Sequence, residues 1–354
     1  MKDKKIIIDE SDEFQCTVRN IIYLKSVGLH SGKDVSIVIK PAQANKGITF
    51  IRKDLSPAVI IKADSQNICS TNLRTSVGKN GVCISTVEHL MSALWGAGID
   101  NASIEVYGEE IPALDGSAKI YYEAIFESGI KELTAKRKYL KILEPVIVSS
   151  NDNIKNCKEN DYSIAIYPSD DFEISYSMNF NHPFVGSGLF ESKIDTSNFY
   201  TEISKARTFG FLKEVELLKK NGLALGGSLD NALVLNETGV LNKEGLRYKD
   251  EFIRHKVLDL IGDLYISGYR IKGKVIAKKT GHDMNAKLVK AINENKPEIK
   301  SNERNAYSKT FRLNNLLHKT GAAAAPLMSI DIANINAAGI IKFKIKNIHE
   351  NIMV

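Results

Sequence analysis

The chain has 354 residues, of which 43% are hydrophobic and 25% charged, and a formal net charge of +6. That composition is globular and excludes disorder over most of the length, and the length allows two ordinary domains or one large one. The mild positive charge selects no class of partner, and no window approaches the roughly 18 apolar residues that span a bilayer.

The four cysteines, Cys16, Cys69, Cys83 and Cys157, are far apart and form no C-x-x-C pair. We therefore expect reduced thiols in a cytoplasmic protein rather than a disulfide framework. The N-terminus, MKDKKIIIDESDEF, is charged with one short apolar run and is no signal peptide.

From about Thr17 to Ala42 polar and apolar residues alternate, with SIVIK (36–40) the clearest strand and HSGKD (30–34) a turn. VCI (82–84) reads as a strand leading into STVEHLMSALWGAG (85–98), a helix with Ser85 at its N-cap and Gly96 or Gly98 near its end. NASIEVYG (101–108) returns as a strand, and AKIYYEAIFESGI (118–130) is a second helix. TAKRKYLKILEPVIV (134–148) reads as a connector followed by a new strand, which puts a domain boundary near residue 137.

The second half predicts strands around 161–180, a helix around 199–208 and a Gly-rich segment. A helix over 250–267, the strand GKVIAKKT (273–280) and the helix DMNAKLVKAIN (283–293) follow. Two α+β halves, 1–137 and 138–297, are the economical arrangement. Residues 298–354 change character: they are polar, then low in complexity (GAAAAP), and end in one or two strand-like runs.

Three constellations could carry chemistry. In HKVLDLIGD (255–263), His255, Lys256, Asp259 and Asp263 fall within roughly a quarter turn of a helical wheel, opposite an apolar stripe. His255 and Asp259, at i and i+4, are spaced to share a zinc ion, but taken alone a solvated salt-bridge face with Lys256 explains them better. Glu88–His89 pairs a metal ligand with a general base, while Ser85-x-x-Glu88 reads equally as a capping box. His282, between a strand and the last helix, suits an acid that protonates a leaving group, or is a surface residue. Thr208 in ARTFGF is too generic to interpret alone, and PALDGS (112–117) reads as a turn in which Asp115 bonds its own backbone.

In chain order, GLHSGK (28–33), STVEHLMSAL (85–94), GIDNASIEV (98–106), EIPALDGSA (110–118), ARTFGF (206–211) and GGSLDNALVL (226–235) form a set. With LRYKDEFIRHKVLDLIGDLYISG (246–268) and TGHDMNAKL (280–288), this set closely resembles the UDP-3-O-acyl-N-acetylglucosamine deacetylases, the zinc amidases of lipid A biosynthesis. The resemblance covers about residues 15–297 and outweighs the bland readings of each motif alone. It implies that His89, His255 and Asp259 hold the metal, that Glu88 is the water-activating base and that His282 is the general acid. It implies further that the Thr208 hydroxyl steadies the oxyanion, and that Lys256 and Asp263 line the site, with Asp263 supporting His282.

The implied fold is two β-α-α-β halves with helices packed between two sheets. A βαβ insert, expected over about 208–230, forms an acyl tunnel at Phe209, Val215, Ala224 and Gly227. The implied cofactor is Zn²⁺, with Fe²⁺ acceptable to the same donors. The implied substrate is an acylated UDP-N-acetylglucosamine, handled by a cytoplasmic monomer of a Gram-negative bacterium. No nucleic acid and no transmembrane segment enter, and peripheral contact with the inner membrane stays open. A zinc deacetylase of another N-acetylated sugar, and a non-catalytic nucleotide-sugar binder, are the alternatives. Two features depart from the family pattern: Asp283, which we expect to cap the last helix, and the extension after about residue 298.

Overall fold

The computed structural model describes residues 5–149 and 162–295. Cys157 and the extension expected over 298–354 lie outside the described residues. The first half runs β1 (Ile6–Val18), β2 (Ile22–Val27), β3 (Asp34–Pro41), β4 (Ile48–Arg52), β5 (Val59–Lys62), β6 (Ile68–Ser70), β7 (Ser76–Lys79) and β8 (Val82–Ser85). It continues with α1 (Glu88–Gly96), β9 (Ala102–Tyr107), α2 (Lys119–Ser128) and β10 (Ile130–Ile142). The second half begins β11 (Val146–Ser149), β12 (Ser163–Tyr167), β13 (Phe172–Asn179), β14 (Ser187–Lys193), α3 (Phe199–Glu202), β15 (Phe209–Phe211) and α4 (Leu212–Lys220). It ends with β16 (Leu233–Asn236), β17 (Gly239–Val240), α5 (Glu251–Tyr265), β18 (Arg270–Lys278) and α6 (His282–Glu294).

Period-two burial builds two large sheets. In the five-stranded sheet, order β2-β3-β9-β4-β5, Ile37 and Ile39 of β3 face Val106 and Ile104 of β9, and all four are buried. The seven-stranded sheet has the order β1-β10-β18-β12-β11, with β13 joined to β18 and β14 to β13. Its buried residues alternate too, as Phe172, Ile174, Tyr176 and Met178 do along β13. Helices α1, α2, α5 and α6 lie between these sheets. Helix α1 packs on α2 and α5, and α5 on α6, while α2 meets β2, α5 meets β13 and β14, and α6 meets β11 and β12. This is the expected α+β sandwich.

Two element readings need correction. Residues 134–142 are strand rather than connector: β10 runs antiparallel to β1 and parallel to β18, and residue 137 falls inside it. Its buried cation is paired rather than solvated, with Arg137 bonded to Asp100 (2.9 Å) and Glu13 (2.5 Å). The helix expected around 199–208 stops at Glu202. Beyond it, the Arg207 backbone N–H and Nε both donate to Glu251, at 3.0 and 2.9 Å, and draw the chain out of helical form.

One glycine sets the spacing of the central helices. A Cβ on Gly262 of α5 would lie 2.0 Å from the Glu88 carbonyl oxygen of α1, a contact no side chain tolerates. Gly262→Ala must push the helices apart, and we expect it to cost about 1–3 kcal/mol of stability, read as a lower denaturation midpoint. An unchanged midpoint would show that the helices do not meet backbone to backbone at this point.

Candidate metal centre and active site

Strand β8 ends at Ser85, and the chain turns through Thr86 and Val87 into α1. Thr86 takes a left-handed φ of 60°, and its hydroxyl donates to Glu110 Oε1 at 2.8 Å, so a buried carboxylate fixes the turn. Ser85 is therefore not the N-cap. Its hydroxyl donates to the Glu109 carbonyl at 3.1 Å, Val87 occupies the cap position, and no capping box forms. Glu88 instead accepts the Thr75 backbone N–H on Oε2 at 3.0 Å, which leaves its carboxylate at the wall of a cavity.

Across from it, α5 presents the polar face of HKVLDLIGD, and that face is interior rather than solvated. His255, Asp259 and Asp263 are all buried. The lead residues of the two helices converge: His89 Nε2 and His255 Nε2 each lie 3.4 Å from Asp259 Oδ1. One donor atom from each of the three falls within 4.8 Å of the others. His255 Nδ1 lies 3.1 Å from the Ala206 carbonyl, which can only accept, so Nδ1 carries the proton and Nε2 offers its lone pair. Burial pushes the His255 pKa down to about 3, so the ring is neutral at ordinary pH. Burial alone would raise Asp259, but His255, Lys256 (Nζ at 3.0 Å) and the His89 hydrogen bond hold it well below the usual carboxylate range. Two imidazoles and an ionised carboxylate, gathered and oriented from behind, fit a divalent transition-metal ion.

His282 is the first residue of α6, with Gly281 at the cap. Its Nδ1 lies 2.9 Å from Asp263 Oδ2, which also accepts Asn285 Nδ2 at 2.9 Å. The other oxygen, Oδ1, accepts the Thr75 hydroxyl at 2.6 Å. Burial would discharge the imidazole, but the charge and hydrogen bond of Asp263 prevail and lift its pKa to about 9. Glu88 moves in the same direction for a different reason: burial raises it to about 7 against the opposing pull of His282 and His89. Asp283 does not cap α6; its carboxylate pairs with Lys287 at 2.8 Å, one turn on.

These groups share a cavity of about 970 Å³, within the usual range for small-molecule sites. Glu88, His89, His255, Lys256, Asp259, His282 and Thr208 line its polar end. Asp263 stands behind His282 and does not line it. The apolar arm is built by the β15-α4-β16 unit, whose two strands run parallel, and Phe209, Val215, Ala224 and Gly227 all lie on it. Leu212, Leu218, Leu229 and Val234 extend the same wall. The closing strand of this βαβ unit is Leu233–Asn236, so the insert runs past the expected end at 230.

The sequence reading missed three residues here. Asn285, three positions after His282 on one helix, had a spacing signal. His30 lines the cavity and is pushed down to about 4 by burial and the Arg74 charge, and Thr75 joins Glu88 to Asp263. Thr75 carries no motif of its own, and His30, although inside GLHSGK, reads in the sequence only as part of a turn.

Known proteins resemble this chain over most of its length. The family model for UDP-3-O-acyl N-acetylglycosamine deacetylase (LpxC) matches residues 15–294. A UDP-3-O-acyl-N-acetylglucosamine deacetylase of Geobacter sp. (strain M21) is 46% identical over 276 residues, 78% of this chain and 88% of the relative. One from Geotalea uraniireducens (strain Rf4) is 44% identical over 276 residues, 78% of this chain and 87% of its own. The Shewanella piezotolerans enzyme of the same name is 46% identical over 282 residues, covering 79% of this chain and 89% of the relative.

Proposed function

The chain belongs to the UDP-3-O-acyl-N-acetylglucosamine deacetylase family, and from that premise we propose how its own residues remove the acetyl group. The reaction is hydrolysis of the N-acetyl amide of an acylated UDP-N-acetylglucosamine, giving acetate and the free amine, and we place it in lipid A biosynthesis. The observation that carries this reading is the meeting, in one cavity, of the His89/His255/Asp259 donor set, two titratable groups with opposed tasks, and a long apolar arm.

We assign the donor set to zinc, with Fe²⁺ acceptable to the same ligands. When bound, the ion supplies Lewis-acid polarisation of the amide carbonyl and acidifies the attacking water. Glu88, with one oxygen held by the Thr75 N–H, keeps the second to take the proton from that water. Thr208, whose backbone N–H is anchored to the Gly116 carbonyl at 2.8 Å, offers its hydroxyl to the developing oxyanion. His282, protonated and steadied by Asp263, donates its Nε2 proton to the departing glucosamine nitrogen. Lys256 adds positive charge beside Asp259 at the polar end. Phe209, Val215, Ala224 and Gly227 take the acyl chain, so the chain's length fixes where the amide lies. The two halves of the chain then separate tasks: the first supplies Glu88 and His89, the second His255, Asp259 and His282.

Among the described residues, no helix is long and apolar enough to cross a membrane. We take the chain as a cytoplasmic monomer that meets its substrate without spanning a bilayer.

The pH dependence of acetate release tests the division of labour. Glu88 must be ionised, so kcat/KM should fall as pH drops through about 7, or somewhat lower once a bound cation favours the carboxylate. His282 must be protonated, so kcat/KM should fall again as pH rises through about 9. A profile that keeps rising past pH 10 would remove His282 from the role of acid.

A further inference from the structure

We propose that Thr75 is a positioning residue that holds the base Glu88 and the His282–Asp263 pair in register with one another. The inference rests on the roles proposed above for Glu88 and His282. Thr75 sits immediately before β7, is buried with 1% of its surface exposed, and belongs to no recognisable motif. Each of its polar groups engages a different part of the site. The backbone N–H donates to Glu88 Oε2 at 3.0 Å, and the carbonyl accepts from the N–H of Val87, the residue before Glu88, at 3.2 Å. The hydroxyl donates to Asp263 Oδ1 at 2.6 Å and lies 3.2 Å from His282 Nδ1.

Proton transfer makes this bridge consequential. The base and the acid sit on α1 and α6, in opposite halves of the chain, and no other described residue has a hydrogen bond to both Glu88 and Asp263. An N–H on one oxygen of Glu88 fixes the plane of the carboxylate and so the direction of its other oxygen. Asp263 has Oδ2 committed to His282 and Asn285, so the Thr75 hydroxyl on Oδ1 is what stops the carboxylate turning about its own axis. If Asp263 turns, the His282 ring turns with it, and Nε2 leaves the line to the departing nitrogen. Misplacement by about an ångström is enough to cost roughly 100-fold in rate.

Valine keeps the shape of threonine and the backbone N–H but removes the hydroxyl; serine keeps the hydroxyl and loses the methyl. We expect Thr75→Val to lower kcat per zinc-loaded molecule by about 10- to 100-fold with little change in KM, and Thr75→Ser to restore most of the loss. Normalising to bound zinc separates this effect from any loss of folded protein. Unchanged kcat per loaded molecule, a change carried by KM alone, or failure of serine to restore activity would each overturn the role of Thr75. The wild-type chain run alongside distinguishes the two levels: no acetate release by wild type overturns the deacetylase mechanism itself, whereas active wild type with an equally active Thr75→Val variant overturns only the positioning role.

Discussion

Glu88→Gln should lower kcat for acetate release by about 10²–10⁴-fold, the usual share of a general base, while the protein keeps its metal. Glutamine is nearly isosteric, and its amide oxygen can still accept the Thr75 N–H that Glu88 accepts at 3.0 Å. Helix α1 therefore has no reason to move, and none of His89, His255 and Asp259 is touched. What disappears is a group able to take a proton. Burial already holds the Glu88 carboxyl near 7, where it is basic enough to accept a proton and still ionised in a substantial fraction at neutral pH. The acid limb of the pH profile should vanish with it. Turnover close to wild type would return Glu88 to a purely structural part in the β8–α1 turn.

His255→Ala should lose bound metal, and with it activity by a factor on the order of 10³ or more. Removing a partner behind a ligand already costs about 10- to 100-fold in metal affinity, and deleting the ligand itself should cost more. The variant leaves His89 and Asp259 as two donors 3.4 Å apart, too few to close a zinc site. It also strands the buried Ala206 carbonyl that now accepts from Nδ1, so some loss of stability accompanies the loss of metal. Stoichiometric zinc retained by folded His255→Ala would show that the donor set has been misassigned.

The sequence went furthest where periodicity and chemistry coincide. The helical wheel of HKVLDLIGD put His255, Asp259 and Asp263 on one face, and they share one in the structure. The wheel could not say whether that face met water or protein, because burial depends on α1, which lies far away in the chain. Glu88 shows the converse. Ser85-x-x-Glu88 satisfies a local capping pattern, yet the left-handed Thr86 and its bond to Glu110 start the helix later and free the carboxylate. The misread segments fail for related reasons. The basic run of β10 looked like a linker because its counter-charges, Asp100 and Glu13, are remote in sequence. Residues 203–208 leave helical form because Glu251, from the next large helix, captures Arg207. Thr75 was invisible since its value lies wholly in what the fold brings to it.

The most direct test of the central claim is acetate release from a 3-O-acylated UDP-N-acetylglucosamine by protein stripped with a chelator and then titrated with zinc. The three-donor site predicts that stripping abolishes release and that one equivalent of zinc per chain restores it. Full release by the stripped protein, or a zinc-loaded protein that releases no acetate, would contradict it.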